Sequence, residues 1–514
     1  MQHRVSLTGQ GASERAREMV GILQFLYYVS TIGLALVGFN TLVLSIVYLL
    51  HRNDRFTAPE VGEAEWPSVV VQLPVYNERH VVERLMEATG QLDYPRDRLE
   101  IQLLDDSTDD TYSIAAAAVE AARRSGLRVQ HVRRGTREGF KAGALAYGLK
   151  RTDAEFVAVF DADFVPSPDF LRRVIPYFLA DPALGMVQTR WAHLNAETSP
   201  LTRAQALALD SHFVVEQTAR HRGGLLMNFS GTAGVWRRAC IEGSGGWHYD
   251  TLSEDIDLSY RAQLGGWRCL YLPDVSVPAE IPPLMMGFKR QQSRWATGTV
   301  QCLRKLGGRV LRSPLSLWQK AQALLHLGGY FLHPLMILLL LLTLPLTLSG
   351  RINGLSLSGL GLAMLGSPLQ AIIAQRRLYP DWGRRLIYFP VLMLLGVGIA
   401  VSNTEAVLKG FSSHVPAFQR TPKFHIEGRT QAWASSTYAL PVNHTTWLEL
   451  SLSLYAGVTA ILALSRAPAL VPFMTLYALG FAYVALVSLW QSYTARRVQM
   501  RQRRTLSLSG SSSK

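Results

Sequence analysis

Apolar residues are distributed unevenly along this chain. A long apolar stretch runs from Met19 to Leu50. A helix of about 20 apolar residues crosses the hydrocarbon core of a bilayer. The stretch therefore predicts one tilted span, or an interfacial turn over 19–28 followed by a span over 30–50. It has no small-residue cleavage site and is too long for a signal-peptide core, so it reads as an anchor. From residue 56 to about 320 nothing is long and apolar enough to cross a bilayer. Beyond that come Leu325–Leu348, the weaker Leu355–Ala374, Ile387–Leu408, Leu448–Leu464 and Ala467–Trp490.

The intervening region alternates short apolar runs with stretches of helical spacing. Strands are predicted over 68–75, 99–104, 128–133 and 156–160, and helices over 79–91, 109–125 and 138–150. This alternation predicts an α/β domain built on a mostly parallel sheet covered by helices. Ligands in such sheets bind beyond the carboxyl ends of the strands.

Charge orders the apolar segments. The chain has 52 Lys+Arg against 38 Asp+Glu, a net charge of +14. Basic residues cluster at Arg376/Arg377/Arg384/Arg385, at Lys409/Arg420/Lys423/Arg429 and at Arg496/Arg497/Arg501/Arg503/Arg504. The positive-inside rule places all three clusters on the cytoplasmic side. Residues 387–408 then have both flanks inside, so they are expected as a re-entrant or interfacial helix. Four spans after the polar region and one before it make five, with the N-terminus outside. The C-terminal arginine run reads as a contact with anionic headgroups. It has no interleaved aromatics, which argues against nucleic acid. The three cysteines (Cys240, Cys269, Cys302) have no paired or metal-ligand spacing, which excludes a disulfide scaffold.

Acidic residues gather where the strands end. The first strand leads into Tyr76-Asn77-Glu78, the second into Asp105-Asp106 and the fourth into Asp161-Ala162-Asp163. Asp161 and Asp163 are suited to a hard cation that neutralises a diphosphate. Turn and capping chemistry explains single residues of this kind, but three acidic strand ends at one edge point to a site. Further on, Ser253-Glu254-Asp255-Ile256-Asp257 enters a helix, with Ser253 the expected N-cap. Close carboxylates repel one another and raise a pKa, which suits a general base. Gln291-Gln292-Ser293-Arg294-Trp295 lies on an amphipathic stretch expected at the membrane surface. There Arg294 could grip a phosphate and Trp295 could stack on a sugar.

In this order, Asp105-Asp106, Asp161-x-Asp163, Ser253-Glu254-Asp255 and Gln291-x-x-Arg294-Trp295, followed by spans, resemble the processive family 2 glycosyltransferases, which include cellulose, hyaluronan and mannan synthases. Phe140–Leu145, Val187–Trp191, His212–Gln217 and Gly231–Arg237 are most similar to the cellulose synthase-like A group of β-mannan and glucomannan synthases and related β-glucan synthases. The resemblance implies a GT-A catalytic domain, a Rossmann-like mixed sheet, inserted between transmembrane helices.

The resemblance also implies roles for individual residues. Tyr76, Glu78, Asp105 and Asp106 would hold the nucleotide, and Lys141 and Arg294 its diphosphate. Asp161 and Asp163 would bind Mg2+ or Mn2+. Asp255, with Glu254 beside it, would be the catalytic base. Gln291, Trp295, Phe229, Gly231 and Thr232 would line the acceptor path. Phe418–Lys423 resembles a gating loop whose Thr421 and Lys423 would close over the nucleotide. Ser253 departs from the Thr more usual in the family but keeps the hydroxyl.

The expected organisation is a membrane anchor over 1–55, the catalytic domain over 56–284 and interfacial helices over 285–324. A transmembrane channel region follows over 325–495, with its gating-loop-like segment at 409–430, and a basic tail covers 496–514. The expected activity is polymerisation of hexose from GDP-mannose or UDP-glucose onto a growing β-linked glycan, with translocation of the product. A non-processive glycolipid glucosyltransferase shares the Gln-x-x-Arg-Trp set and is the alternative. The expected location is a cellular membrane, with the catalytic domain in the cytoplasm.

Overall fold

A computed structural model describes residues 3–54, 57, 59–62, 65–352, 364–412, 420–426 and 441–511. After the long helix α1 (His3–His51), the chain alternates β1 (Val69–Val75), α2 (Val82–Gly90), β2 (Leu99–Asp105), α3 (Thr111–Arg124), β3 (Val129–Val132), α4 (Phe140–Leu149), β4 (Phe156–Val159) and α5 (Phe170–Ala180). Then come β5 (Leu184–His193), α6 (Pro200–Asp210), α7 (Thr218–Arg222), β6 (Gly234–Arg237), α8 (Arg238–Gly243), α9 (Glu254–Leu264) and β7 (Arg268–Ala279). A π-helical stretch, Ser211–Gln217, joins α6 to α7.

The seven strands form one sheet in the order β3-β2-β1-β4-β6-β5-β7. β1 pairs in parallel with β2 and β4, and β5 in parallel with β7. β6 is antiparallel to both of its neighbours. One reversed strand matters for the site. It brings the approach to β6, residues 231–233, to the edge where the parallel strands end.

Period-two alternation sorts the strand side chains onto two cores. Val69, Val71, Leu73, Phe156 and Ala158 pack on one face, and Val70, Val157 and Val159 on the other. Each such buried aliphatic side chain contributes about 1.5–3 kcal/mol. Burial on both faces explains why these strands read as nearly unbroken apolar runs. Gln72 interrupts β1, and its buried amide nitrogen donates to Gln102 Oε1 at 3.0 Å. A Cβ on Gly148 would lie 2.6 Å from Gln72 Nε2, so glycine lets α4 sit directly on these strands.

Beyond the sheet lie α10 (Met285–Arg312), α11 (Leu317–Leu327), α12 (Leu332–Leu348), α13 (Gly366–Leu378), α14 (Phe389–Gly398), α15 (Ala400–Gly410), α16 (His444–Arg466) and α17 (Val471–Ser511). Among the described residues, four helical stretches are long and apolar enough to cross a membrane: Arg17–His51, Gly329–Leu348, His444–Arg466 and Pro468–Val498. The expected weaker span over 355–374 is not among them. Its described part, α13, has 13 residues and ends in Arg376, Arg377 and Leu378, while 353–363 lie outside the described residues. The helical pair Trp382–Gly398 and Ala400–Gly410 bends by 45° at its break, the shape of a broken span or a re-entrant loop.

Candidate active site

A cleft with about 1320 Å3 of empty space opens at the carboxyl edge of the sheet. It gathers residues from six strand ends and from α10. Tyr76 and Glu78 follow β1, Asp106 follows β2, Arg137 and Lys141 follow β3, and Asp161 and Asp163 follow β4. Gly231 precedes β6 and Glu280 follows β7. Glu254 and Asp255 open α9, while Gln291, Arg294 and Trp295 reach in from α10. Arg420, Thr421 and Lys423 complete the rim. Residues 413–419 and 427–430 of the expected gating loop, Phe418 included, lie outside the described residues.

Local backbone strain sets Lys141 in place. Gly139 and Phe140 both have positive φ, +69° and +49°, at the start of α4. A non-glycine residue in this region is strained and is held there only by its surroundings. The Lys141 ammonium donates to Asp161 Oδ1 at 2.5 Å and to the Gly231 carbonyl at 2.8 Å, and lies 3.9 Å from Glu254 Oε1. Burial pulls this ammonium down, yet Asp161 and Glu254 outweigh it and hold the pKa above its usual value.

The two carboxylates at the start of α9 face the same space. Burial, and then the charge of Glu254, push Asp255 up to about 7. Burial raises Glu254 as well, against the pull of Lys141. The Asp255 carboxylate accepts from its neighbour's backbone, Ile256 N, at 2.8 Å. Ser253 stands at the expected N-cap position of α9, but its side chain makes no capping bond. Its hydroxyl sits against Gly298 of α10 instead.

The rim segment 420–426 ties distant parts together. Arg420 pairs with Glu78 at 3.1 Å and Lys423 with Asp163 at 2.6 Å. Phe424 N donates to Glu280 Oε2 at 3.1 Å. Glu280 also pairs with Arg84 at 2.6 Å, and its backbone N–H donates to Asp163 Oδ2 at 3.1 Å. Burial pushes the Glu78 carboxyl up to about 8, with Arg420 pulling the other way.

Three expected site residues lie beneath the cleft and do not line it. Phe229, expected along the acceptor path, is fully buried and packs edge-on against Trp236 with ring centroids 5.5 Å apart. Thr232 is also fully buried, and its Oγ1 accepts from Asp161 N at 2.9 Å. Asp105, expected on the nucleotide, is buried and pairs with His131 at 2.9 Å while accepting from Ser107 N at 2.8 Å. At the end of β2, alternation turns Asp105 into the core and leaves Asp106 to the cleft. Asp106, by contrast, lines the cleft and is held by the Arg134 guanidinium through both of its oxygens.

Arg134, Arg137, Glu280 and Arg420 were not singled out from the sequence. Arg137 stacks on Tyr76 with its guanidinium carbon 3.4 Å from the ring centroid, closing one wall of the cleft. The Arg133-Arg134-x-x-Arg137 run just after a strand was the available signal.

Residues 67–298 match the family model described as glycosyltransferase like family 2. The chain carries a family 2 glycosyltransferase domain. Over 267 residues this domain is 43% identical to glucomannan 4-beta-mannosyltransferase 2 of Arabidopsis thaliana, covering 51% of this chain and 50% of that protein. It is 40% identical over 267 residues to glucomannan 4-beta-mannosyltransferase 1 of Oryza sativa subsp. japonica, covering 51% of each. The chain thus spans about half the length of the curated relatives it matches. A mannosyltransferase from Pyrobaculum calidifontis, solved in complex with GDP-Man and Mn2+, superposes with a TM-score of 0.51. It is 22% identical, and the match covers 75% of this chain and all of that one. The transferase domain has the GT-A fold.

The donor set of the transferase cleft suits a hard cation. Lys141 takes Oδ1 of Asp161 and Lys423 takes Oδ2 of Asp163, which leaves one oxygen on each carboxylate for Mg2+ or Mn2+. A second acidic group, His248, Asp250 and Asp257, has metal-ligand spacing. Cations of the protein already occupy it. Lys305 lies 2.6 Å from Asp250 and 2.9 Å from Asp257, and Arg261 lies 2.8 Å from Asp257. It is an ion-pair knot that ties α9 to α10.

Proposed function

We propose that the protein is a membrane-embedded inverting hexosyltransferase that builds a β-linked polysaccharide of the mannan or glucan type and passes it through its own helices. GDP-mannose is the leading donor, because the relatives are named mannosyltransferases and the GT-A neighbour was solved in complex with GDP-Man. UDP-glucose is the other donor to test. The observation that carries the reading is the meeting of Asp255, Lys141 and Arg294 in one cleft with Asp161 and Asp163.

The chemistry follows from these positions. Asp161 and Asp163 would hold Mg2+ or Mn2+, which when bound neutralises the donor diphosphate. Asp255 takes the proton from an acceptor hydroxyl as its oxygen attacks the anomeric carbon. The bond from that carbon to the diphosphate breaks, and the nucleoside diphosphate leaves with the electron pair. Lys141 and Arg294 offset its charge. Attack opposite the leaving group turns an α-linked donor into a β-linkage. Tyr76, Glu78 and Asp106 hold the nucleotide, with Asp105 supporting the strand end beneath it. Thr421 and Lys423 cover the nucleotide from the rim. Gln291 and Trp295 seat the acceptor, helped by Gly231 above the buried Phe229 and Thr232.

The four apolar helices and the bent pair would embed the protein, with the transferase domain in the cytoplasm. The experiment gives purified protein radiolabelled GDP-mannose and UDP-glucose separately, with Mn2+ or Mg2+. The product is sized and digested with linkage-specific glycanases. A long β-linked product from one donor is expected. A chloroform-soluble monoglycoside would overturn polymerisation in favour of glycolipid synthesis, and no turnover with either donor would overturn both.

A further inference from the structure

A second cavity, with about 2350 Å3 of empty space, is lined by none of the residues of the donor cleft. Its walls come from the end of α1, α5, β5, the π-helical stretch and α7, the middle of β7 and the end of α13. The charge of this lining is one-sided. It holds six arginines, Arg52, Arg172, Arg173, Arg190, Arg222 and Arg377, against two carboxylates, Asp54 and Asp274.

Both carboxylates are already engaged. Asp54 pairs with His51 at 3.0 Å and Asp274 with Arg377 at 3.0 Å. Arg52, Arg190 and Arg222 make no ion pair with a carboxylate among the described residues. Arg222 spends one nitrogen on the His51 carbonyl at 2.9 Å, and Arg190 spends Nε on the Pro273 carbonyl at 3.0 Å. Both are half-buried, and partly desolvated cations are unfavourable without a counter-charge.

Two hydroxyls point the same way. Thr218 and Tyr271 line the cavity and are 2% and 1% exposed, yet neither Thr218 Oγ1 nor Tyr271 Oη has a hydrogen-bond partner among the described residues. Buried hydroxyls are seldom left unbonded. The wall is also firm. A Cβ on Gly223 would lie 2.8 Å from Val47 Cγ1, and Leu44 and Tyr48 pack with Val214, Val215 and Ala374.

We propose that this cavity binds a phosphate-bearing anion. Its arginines supply planar pairs of donors, the geometry that phosphate oxygens accept best. Arg52 follows directly on the last turn of the apolar helix Arg17–His51, and an arginine at the end of a span reaches for the headgroup layer. An anionic phospholipid headgroup is one source of such a phosphate and a soluble phosphate is the other. The site does not depend on the transferase reading, since it shares no residue with the donor cleft.

The test uses the full chain in neutral detergent and follows thermal unfolding. One arm titrates phosphatidylglycerol in phosphatidylcholine bicelles, with phosphatidylcholine alone as reference. The other titrates inorganic phosphate. A rise in Tm with phosphatidylglycerol alone assigns the site to a lipid headgroup, and a rise with inorganic phosphate assigns it to a soluble anion. In either case Arg52→Gln/Arg377→Gln weakens half-saturation about tenfold, whereas Arg96→Gln/Lys150→Gln, exposed and lining neither cavity, leaves it unchanged. Should the first pair fail to fold, Tyr271→Phe/Thr218→Val removes only the two hydroxyls and is expected to weaken the response in the same direction. No rise with either probe, or a rise that both cavity variants keep in full, overturns the proposal.

Discussion

Gly298 of α10 rests directly on Ser253, so that a Cβ at Gly298 would stand 2.1 Å from Ser253 Oγ and 2.9 Å from its backbone nitrogen. This contact sets the distance between the Gln291–Trp295 turn and the Glu254–Asp255 pair. Gly298→Ala has no free space and must push α10 away from α9. Misplacement of catalytic groups by about 1 Å costs on the order of 10²-fold in rate. Turnover is expected to fall by about that factor while nucleotide affinity changes little, read as kcat and donor Kd on the same preparation. An unchanged kcat would show that the spacing is not what the glycine protects.

Gly231 holds a similar position on the opposite wall. Its φ is +84°, and a Cβ there would lie 2.9 Å from Asp255 Oδ2 and 3.5 Å from Lys141 Nζ. Gly231→Ala therefore meets backbone strain and a carboxylate together. A large drop in activity is expected with a small loss of thermal stability, because the side chain intrudes on the reacting space and not on the core. A variant that loses stability but keeps its turnover per folded molecule would count against this placement.

The raised pKa of Asp255 makes a pH prediction with a definite sign. A general base works only when deprotonated, and Asp255 is pushed up to about 7. kcat/KM should thus fall about tenfold per unit below pH 7 and level off above it. An ordinary Asp, with a pKa of about 3.9, would keep full activity at pH 5. Glu254→Gln removes the neighbouring negative charge that raises Asp255 and should move the acid limb to lower pH. Asp255→Asn should cost about 10²–10⁴-fold at every pH while donor binding persists. A flat profile from pH 9 to pH 5 would sink the assignment.

The strand ends were legible in the sequence because buried strands show as apolar runs, and the residues just after them must be polar. Tyr76, Glu78, Asp106, Asp161 and Asp163 all line the cleft for that reason. Facing was not legible where the order of strands decides it. Phe229 and Thr232 are buried because they lead into β6, the one strand that runs backwards. Arg134 and Arg420 were missed because their partners, Asp106 and Glu78, lie 28 and 342 residues away. No local pattern records such a pairing. The close approaches of Gly298 and Gly231 were hidden for the same reason: a glycine's lack of a side chain has meaning only once its neighbour is known. Among the described residues, four of the apolar segments coincide with helices long enough to cross a membrane, 355–374 does not, and 382–410 is bent by 45°.

Lys289 of α10 and Glu449 of α16 form an ion pair at 2.6 Å with side chains only 2% and 0% exposed, and Lys289 also donates to Thr445 Oγ1 at 2.8 Å. The pair pins the helix that carries Arg294 to one of the apolar helices. Removing one partner of such a pair leaves an uncompensated buried charge and costs about 3–5 kcal/mol, whereas replacing both with apolar groups is often neutral. Lys289→Met and Glu449→Leu are each expected to lower the unfolding temperature strongly. The double variant is expected to recover most of that loss. Thermal unfolding of the four proteins in one detergent gives the coupling directly. Additive losses in the double variant would show that the two charges do not depend on each other. Recovered stability with lost turnover would show that the pair serves the register of α10 and not the fold.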